Sequence, residues 1–378
     1  LMIEPTTLDL SGERLTAAYE FSGKAEDVPH RARALCVEQT IEFPADLVPD
    51  DDIQRSIIGQ IESVEPLADD LTRVVVSYAV ETTGFELPQL LNVLFGNSGL
   101  LRGIKLVDVS LPPGLRRALG RPRFGTDGLR TLFDAPSRPL LATALKPMGS
   151  SPERLASFAY ELAAGGMDMI KDDHSLANQP FAEFRERVVA CADAVARANA
   201  ASGNRAIYMP SINAPHDHIG ERARFAVEAG AGGLLVLPGI TGFDHMRSLA
   251  ADPGIGLPIM GHPAFLGGHV SSPTGGIDHG VLFGTLFRFA GADTTIFPNH
   301  GGRFSFTEGE CRRIVEKSTE PIDGVPAIFP TPGGGMNRGR VSEMLDFYGR
   351  DVVLLIGGDL HRDGDLRANA SAFREAVS

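Results

Sequence analysis

The sequence has few cysteines, no basic cluster and no long apolar run, and each absence excludes a class of protein. Its three cysteines (Cys36, Cys191 and Cys311) are too few and too scattered for a disulfide framework, and none forms a CxxC pair typical of zinc or redox sites. The net charge of -13, without any basic block, argues against a nucleic-acid surface or binding to anionic membranes. We therefore expect small-molecule partners, and thiols buried in a reducing compartment.

The sequence also lacks signals that would direct it into or across a membrane. No window reaches the roughly 18 apolar residues of a membrane span. The first residues, LMIEPTTLDLSGERL, have no basic region followed by an apolar run, which would mark a secretory signal. These features predict a cytoplasmic protein.

The length and the order of apolar segments predict two domains. A chain of 378 residues with 43% hydrophobic content exceeds the size at which one core usually stops growing. Residues 1–122 mix strand-like and helical stretches without a regular repeat, which indicates an α+β domain. From residue 139, eight apolar runs alternate with amphipathic helical segments: PLLATAL, GMDMIKDD, RAIYMPSI, GGLLVLPG, LPIMGHP, ADTTIFP, VPAIFPT and DVVLLIGG. Eight such units predict a (β/α)8 TIM barrel over residues 123–378, with an open doubly wound sheet as the alternative.

The stretch MDMIKDDH, residues 167–174, places charged groups where the second barrel strand should leave the core. In this fold the active site lies at the C-terminal ends of the strands. Because side chains alternate along a strand, Lys171 and Asp173 share one face and Asp172 lies on the other. Three interpretations compete: a structural ion pair, a Schiff-base lysine, or a lysine carbamylated by CO2 that binds a hard cation beside Asp173. Flanking carboxylates should raise the pKa of Lys171, which favours the carbamate over the Schiff base.

Two glycine-rich segments follow the last two predicted strands. TPGGGMNRGRVSE comes after the seventh strand and LLIGGDLHRDGD after the eighth. Backbone amides of such loops bind phosphate, and the loops after strands seven and eight are the usual phosphate site of a TIM barrel. The alternative is that these glycines only make turns. Their occurrence at both loops favours phosphate binding.

Together, the motifs ALKPMG, GGMDMIKDDH, FPNHGGRF and PGGGM…IGGD resemble the large subunit of ribulose-bisphosphate carboxylase/oxygenase, and specifically its RuBisCO-like (form IV) relatives. The resemblance covers most of the chain and implies a ferredoxin-like N-terminal domain before the barrel. It implies that Lys146 handles the enolisation proton and that Lys171 is the carbamylated lysine. It also implies that Asp173 is a metal ligand, that His262 is catalytic, and that Arg303 stands in place of the mobile lysine of loop six.

The resemblance further implies a phosphate site and a partner subunit. The glycines around one phosphate correspond to Gly334, Gly335, Gly357 and Gly358. In the N-terminal domain, Asn97 and Glu38 match residues that reach the active site of a partner subunit, so the resemblance implies an antiparallel homodimer with shared active sites.

Several positions depart from the family pattern, and they weaken the expectation of CO2 fixation. His174 occupies the position of the second metal carboxylate, and an imidazole ligand makes Mn2+ or another transition ion more plausible beside Mg2+. Met148 replaces the second lysine of the KPK motif. Pro263 and Ile296 replace an arginine and a histidine that grip the second phosphate, and Gly333 offers no hydroxyl there.

These features predict a metal-dependent enzyme that forms or discharges an enediolate on a monophosphorylated keto-sugar or keto-sugar acid. Among family members, KDDH and the change at Met148 favour enzymes acting on 3-oxo-isoapionate 4-phosphate, as decarboxylase or transcarboxylase/hydrolase. The alternatives are an enolase or isomerase of methylthioribulose phosphate compounds, a non-catalytic regulatory paralogue, and a Schiff-base aldolase on the same barrel.

Overall fold

The computed structural model describes residues 4–378 and divides the chain into two compact units. The first unit comprises the residues up to Gly120 together with Leu266–Thr285, and the second comprises Arg121–Phe265 and Leu286–Ser378. The boundary predicted between residues 122 and 123 stays a prediction. The inclusion of residues 266–285 in the first unit has no counterpart in the sequence pattern.

Residues 4–378 contain thirteen strands and fourteen α-helices, numbered in chain order. The strands are β1 Arg14–Ser22, β2 Gln60–Ala68, β3 Leu71–Ala79, β4 Ile104–Ser110, β5 Leu140–Leu145, β6 Met169–Asp172, β7 Ile207–Met209, β8 Leu234–Val236, β9 Ile259–Gly261, β10 Gly276–Ile277, β11 Thr294–Pro298, β12 Phe329–Gly333 and β13 Val353–Ile356. The helices are α1 Val28–Glu38, α2 Leu87–Phe95, α3 Pro113–Ala118, α4 Gly125–Phe133, α5 Pro152–Ala164, α6 Phe184–Ser202, α7 His216–Glu228, α8 Pro238–Thr241, α9 Phe243–Ala251, α10 Gly267–Val270, α11 Phe287–Phe289, α12 Glu308–Thr319, α13 Val341–Tyr348 and α14 Leu366–Ala376.

The first unit is built on a five-stranded mixed sheet in the order β10-β4-β1-β3-β2. β1 pairs with β3 and β4, and β3 pairs with β2; these pairings are all antiparallel. β10, which comes from the segment 266–285, adds to the other edge in parallel with β4. The unit is therefore an α+β domain, as predicted.

The second unit is a closed barrel of eight parallel strands, which confirms the predicted TIM barrel. Seven pairings connect the strands in the order β7-β6-β5-β13-β12-β11-β9-β8. A parallel bridge between Ser211 and Leu235 closes the ring between β7 and β8. Seven of the eight predicted apolar runs contain one of these strands. The remaining run, VPAIFPT, overlaps β12, which begins four residues after the start of the run and ends two residues beyond it.

The barrel strands are apolar because both of their faces are covered. All six residues of β5 are buried, as are all four of β6, which is typical of parallel strands with helices outside and a filled interior. The interior cluster includes Met169, Met260, Ile296 and Phe329 from four different strands, with Phe133 of α4 packed among them. The interior is thus a packed core, and a catalytic site in this fold is expected at the C-terminal ends of the strands.

None of the helices within residues 4–378 is both long and apolar enough to cross a membrane.

Asp293, directly before β11, connects the start of α4 to the start of β9. Its carboxylate is 1% exposed and accepts hydrogen bonds from the amides of Phe124 at 2.7 Å, Gly125 at 2.8 Å and Ile259 at 2.9 Å. An asparagine would turn its NH2 group toward at least one of these donors, leaving a buried N–H without an acceptor. We expect Asp293→Asn to lower the free energy of unfolding by about 2–3 kcal/mol.

Urea unfolding followed by circular dichroism measures this loss, with the exposed Asp346→Asn as the matched control. A midpoint for Asp293→Asn equal to that of Asp346→Asn would show that the three amide bonds do not stabilise the barrel.

Candidate active site

Lys171, the penultimate residue of β6, is a buried amine with an unusually low pKa. Its side chain is 2% exposed, and Nζ donates to the main-chain oxygen of Asp172 at 3.1 Å. Burial lowers its pKa to about 8, against the opposing effect of Asp173 and with a further lowering from Lys146. The neighbouring carboxylates do raise this pKa, as expected, but the expected net increase was wrong because desolvation of the ammonium outweighs them. A neutral amine suits both a carbamate and a Schiff base.

Asp173 joins the ends of the first two barrel strands through an ion pair. Lys146 directly follows β5, and its Nζ lies 2.6 Å from Asp173 Oδ2. The other oxygen, Oδ1, lies 2.9 Å from His174 Nδ1 and accepts from the Ser175 amide and hydroxyl at 3.1 and 3.0 Å. Burial alone would raise the pKa of Asp173, but the hydrogen bonds from His174, Lys146 and Ser175 hold it well below its usual range. Asp173 is thus a permanently ionised carboxylate.

His174 stacks on His262, which follows β9. The two rings are nearly parallel, at 11°, with centroids 4.7 Å apart. His262 Nδ1 accepts a hydrogen bond from the Ala264 amide at 3.1 Å, so its neutral ring carries the proton on Nε2. Burial, together with the charges of Lys171 and His174, lowers the pKa of His262 well below its ordinary value. His262 is therefore a neutral hydrogen-bond donor at physiological pH.

The structure brings five of the predicted barrel residues into one connected group. Contacts or charge interactions link Lys146, Lys171, Asp173, His174 and His262 at the ends of β5, β6 and β9. Nothing in the sequence pattern indicated the stacking of His174 on His262. The chain separation of 88 residues between these two histidines gives no local signal for it.

The remaining predicted residues lie in two other places. Arg303 is exposed in the loop between β11 and α12, where its guanidinium lies 4.8 Å from the Phe304 ring centroid. Asn97 and Glu38 are neighbours in the first unit, with Asn97 Nδ2 donating to Glu38 Oε1 at 2.8 Å.

The predicted phosphate glycines leave open space at the ends of β12 and β13. Gly334 and Gly335 have φ values of +95° and +69°, which L side chains rarely adopt. A Cβ atom added to Gly334, Gly357 or Gly358 would meet no atom within 4 Å. The Arg338 amide donates to Asp359 Oδ2 at 3.3 Å and so connects the two loops. Open space therefore lies beside the Cα atoms of Gly334, Gly357 and Gly358.

The positions that depart from the family pattern offer no donor for a second phosphate. Ile296 is 4% exposed and belongs to the barrel core, and Pro263 is half-buried and lacks an amide hydrogen. Gly333, at the end of β12, abuts Leu355: a Cβ atom there would lie 2.9 Å from a Leu355 methyl carbon.

A modified Lys171 would complete a three-ligand metal site with Asp173 and His174. Among residues 4–378, no group of three or more His, Cys, Asp or Glu side chains is arranged to hold a metal ion. Asp173 and His174 supply one carboxylate and one imidazole, and a carbamate on Lys171 would add the missing anionic oxygen. The low pKa of Lys171 and the permanent ionisation of Asp173 fit this donor set.

Comparison with known proteins identifies close similarities along nearly the whole chain. Residues 125–378 match the model of the ribulose bisphosphate carboxylase large chain, catalytic domain. A ribulose bisphosphate carboxylase-like protein 1 of Rhodopseudomonas palustris is 37% identical over 98% of this chain and 99% of its own length. A 5-methylthioribulose-1-phosphate isomerase of Rhodospirillum rubrum is 36% identical, covering 97% of this chain and 96% of its own. The crystal structure of a Rubisco-like protein from Rhodopseudomonas palustris superposes with a TM-score of 0.88 and 40% identity, over 97% of this chain and 98% of that one.

Proposed function

Because this chain belongs to the ribulose bisphosphate carboxylase large-chain family, as one of its RuBisCO-like (form IV) members, we propose that it enolises a phosphorylated 2-ketose without fixing CO2. The observation that carries the proposal is the contact of Lys146 with Asp173 at 2.6 Å, beside the buried Lys171. Enolisation needs a base for the proton on the carbon next to the ketone and positive charge near the oxygen that becomes negative. Lys146 supplies the amine, and Asp173 beside Lys171 would hold the divalent ion that supplies the positive charge.

In the proposed reaction each residue has a separate task. Lys146, half-exposed at the strand end, takes the proton as the neutral amine and returns it as the ammonium that pairs with Asp173. The neutral His262 donates from Nε2 to an oxygen of the substrate. Lys171 as a carbamate, with Asp173 and His174, would hold a divalent ion, Mg2+ or Mn2+, which supplies polarisation of the ketone when bound.

One phosphate group suits this site better than two. The amides of Gly334, Gly335, Gly357 and Gly358 can hold one dianionic phosphate through charge-assisted hydrogen bonds. A second phosphate would be desolvated against Ile296 and Pro263, which offer no hydrogen-bond donor. We therefore infer that the substrate is a monophosphate.

The names of the relatives support the enolase or isomerase alternative as the first candidate function. The Rhodospirillum rubrum relative is named for 5-methylthioribulose 1-phosphate, a ketose monophosphate of the inferred kind. A sugar-acid phosphate such as 3-oxo-isoapionate 4-phosphate is the second candidate substrate, because His174 and Met148 depart from the family pattern. A 31P NMR screen of ketose monophosphates and bisphosphates, with bicarbonate and either Mg2+ or Mn2+, tests the proposal. We expect turnover of a monophosphate, and turnover of bisphosphates alone would overturn the assignment.

The identity of the metal depends on His174. Imidazole favours transition ions over Mg2+, whereas a carboxylate favours hard cations. We expect His174→Glu to shift the preference for activation from Mn2+ toward Mg2+ by about tenfold or more, in the range seen for changed metal ligands. Activity titrated with each ion measures the shift. An unchanged ratio of Mg2+ to Mn2+ affinity would mean that His174 is not a ligand.

We also propose an antiparallel homodimer in which Asn97 and Glu38 complete the partner's site. Lys171→Ala and Asn97→Ala should each be inactive, but a hybrid dimer contains one site with both native residues. Mixing the two proteins is expected to restore up to about a quarter of the wild-type activity, as random assortment allows. Each variant mixed with itself is the control. If subunit exchange is demonstrated by mass spectrometry and activity does not return, Asn97 does not act in the partner's site.

A further inference from the structure

Asp172 lies between Lys171 and Asp173, the two proposed metal ligands at the end of β6. Its side chain is held by residues on the opposite side of the strand. Its carboxylate is 0% exposed. Oδ1 accepts from the Tyr208 hydroxyl at 2.7 Å, and Oδ2 accepts from Arg187 Nε at 3.1 Å and from the Ser211 amide at 3.0 Å. Tyr208 and Ser211 belong to the next strand unit and Arg187 belongs to α6, so one carboxylate connects three elements around the strand end.

Arg187 extends this connection to the loop between β6 and α6. Its side chain is also 0% exposed, and its two terminal nitrogens donate to the carbonyls of Ala182 at 2.6 Å and Ala177 at 2.8 Å. That loop begins with Asp173 and His174. A single guanidinium therefore fixes both the strand end and the loop that carries the candidate ligands.

The main chain of Asp172 contacts the reactive lysine directly. Its carbonyl oxygen accepts the hydrogen bond from Lys171 Nζ at 3.1 Å. Because the side chain of Asp172 is anchored on both oxygens, the peptide that presents this carbonyl cannot rotate without breaking buried hydrogen bonds. Burial and the charge of Asp172 raise the pKa of Tyr208 well above its ordinary value, so its hydroxyl remains a donor.

The pairing of Asp172 with Arg187 adds no net charge beside the site, so its effect there is geometric. A buried ion pair is also weak evidence for stability, since apolar residues of similar size often replace one without loss. We propose that Arg187 and Tyr208 are positioning residues that act through Asp172 on Lys171 and Asp173; this inference rests on the proposed function of that site.

Tyr208→Phe removes one hydrogen bond and keeps the ring, so it tests the inference with little risk to folding. Removal of a residue that orients a metal ligand typically lowers activity roughly 10–100-fold. For Tyr208→Phe we expect kcat to fall about tenfold, with KM changed less than about twofold. Arg187→Lys keeps the positive charge but loses the planar set of donors, and we expect its kcat to fall further. The matched control is Tyr19→Phe in the first unit, where a buried hydroxyl donates to the Leu94 carbonyl, also at 2.7 Å.

A kcat for Tyr208→Phe equal to that of Tyr19→Phe, at equal loss of melting temperature, would overturn the inference. If the wild-type protein turns over no phosphorylated ketose, the proposed function fails, and hydrogen–deuterium exchange of the peptide 173–183 decides the inference separately. Faster exchange of that peptide in Tyr208→Phe than in Tyr19→Phe supports positioning, and equal exchange in the two variants refutes it.

Discussion

Replacing Lys171 with alanine is expected to lower kcat by at least about 1,000-fold, because the substitution removes the group that would supply the third ligand of the proposed metal site. The described residues contain no three-ligand alternative. The fold should persist, since removal of a buried amine leaves the barrel hydrogen bonds intact. Steady-state kinetics and circular dichroism measure the two effects, with the exposed Lys24→Ala as the matched control.

The same residue predicts how activation depends on pH. A carbamate forms from the neutral amine, and the pKa of Lys171 is lowered to about 8. At a fixed CO2 concentration, the neutral fraction rises with pH, so activation should increase from pH 7 to 9 and level off above the pKa. Activity that is unchanged both by added bicarbonate and by chelators would refute the carbamate. Trapping of Lys171 with substrate and borohydride would instead identify a Schiff base.

Replacing Lys146 with methionine is expected to lower kcat by about 10²–10⁴-fold, the usual contribution of a general base. Methionine approximates the length of the side chain but cannot accept a proton, and it also breaks the 2.6 Å contact with Asp173. Kinetics with saturating substrate measure the loss in kcat directly.

Lys146→Arg separates the proton-transfer role from the ion pair. Arginine keeps a positive charge for Asp173 but stays protonated at any working pH. A proton-transfer role predicts that Lys146→Arg is as inactive as Lys146→Met, while its melting temperature stays close to that of the wild type. Near-wild-type activity of Lys146→Arg would show that Lys146 only holds Asp173 in place.

The sequence was sufficient to predict the barrel and to place several candidate residues at its strand ends, because these depend on local signals. Each barrel strand is an apolar run followed by a polar or glycine-rich turn, and the strand order then places Lys146 and Lys171 at neighbouring strand ends. The alternation rule also separated Lys171 from Asp172. These are short-range properties that one strand carries by itself.

The features that sequence did not predict depend on contacts between distant segments. Burial of Lys171 reverses the expected direction of its pKa shift, and the extent of burial is set by the whole barrel. The stacking of His174 on His262 joins two strand ends far apart in the chain. Likewise, the two-residue strand β10 pairs with β4 through a segment too short to show an apolar period.

The measurement that tests the central claim most directly is 1H and 13C NMR of the protein with 5-methylthioribulose 1-phosphate in D2O containing 13C-bicarbonate and Mn2+ or Mg2+. Ribulose 1,5-bisphosphate serves as the parallel sample. Enolisation of a monophosphate predicts that deuterium replaces the proton next to the ketone, that the Lys146→Met protein shows no exchange, and that neither sample forms a 13C-carboxylated product. A 13C-labelled carboxylate formed from the bisphosphate, with no exchange on the monophosphate, would contradict the account.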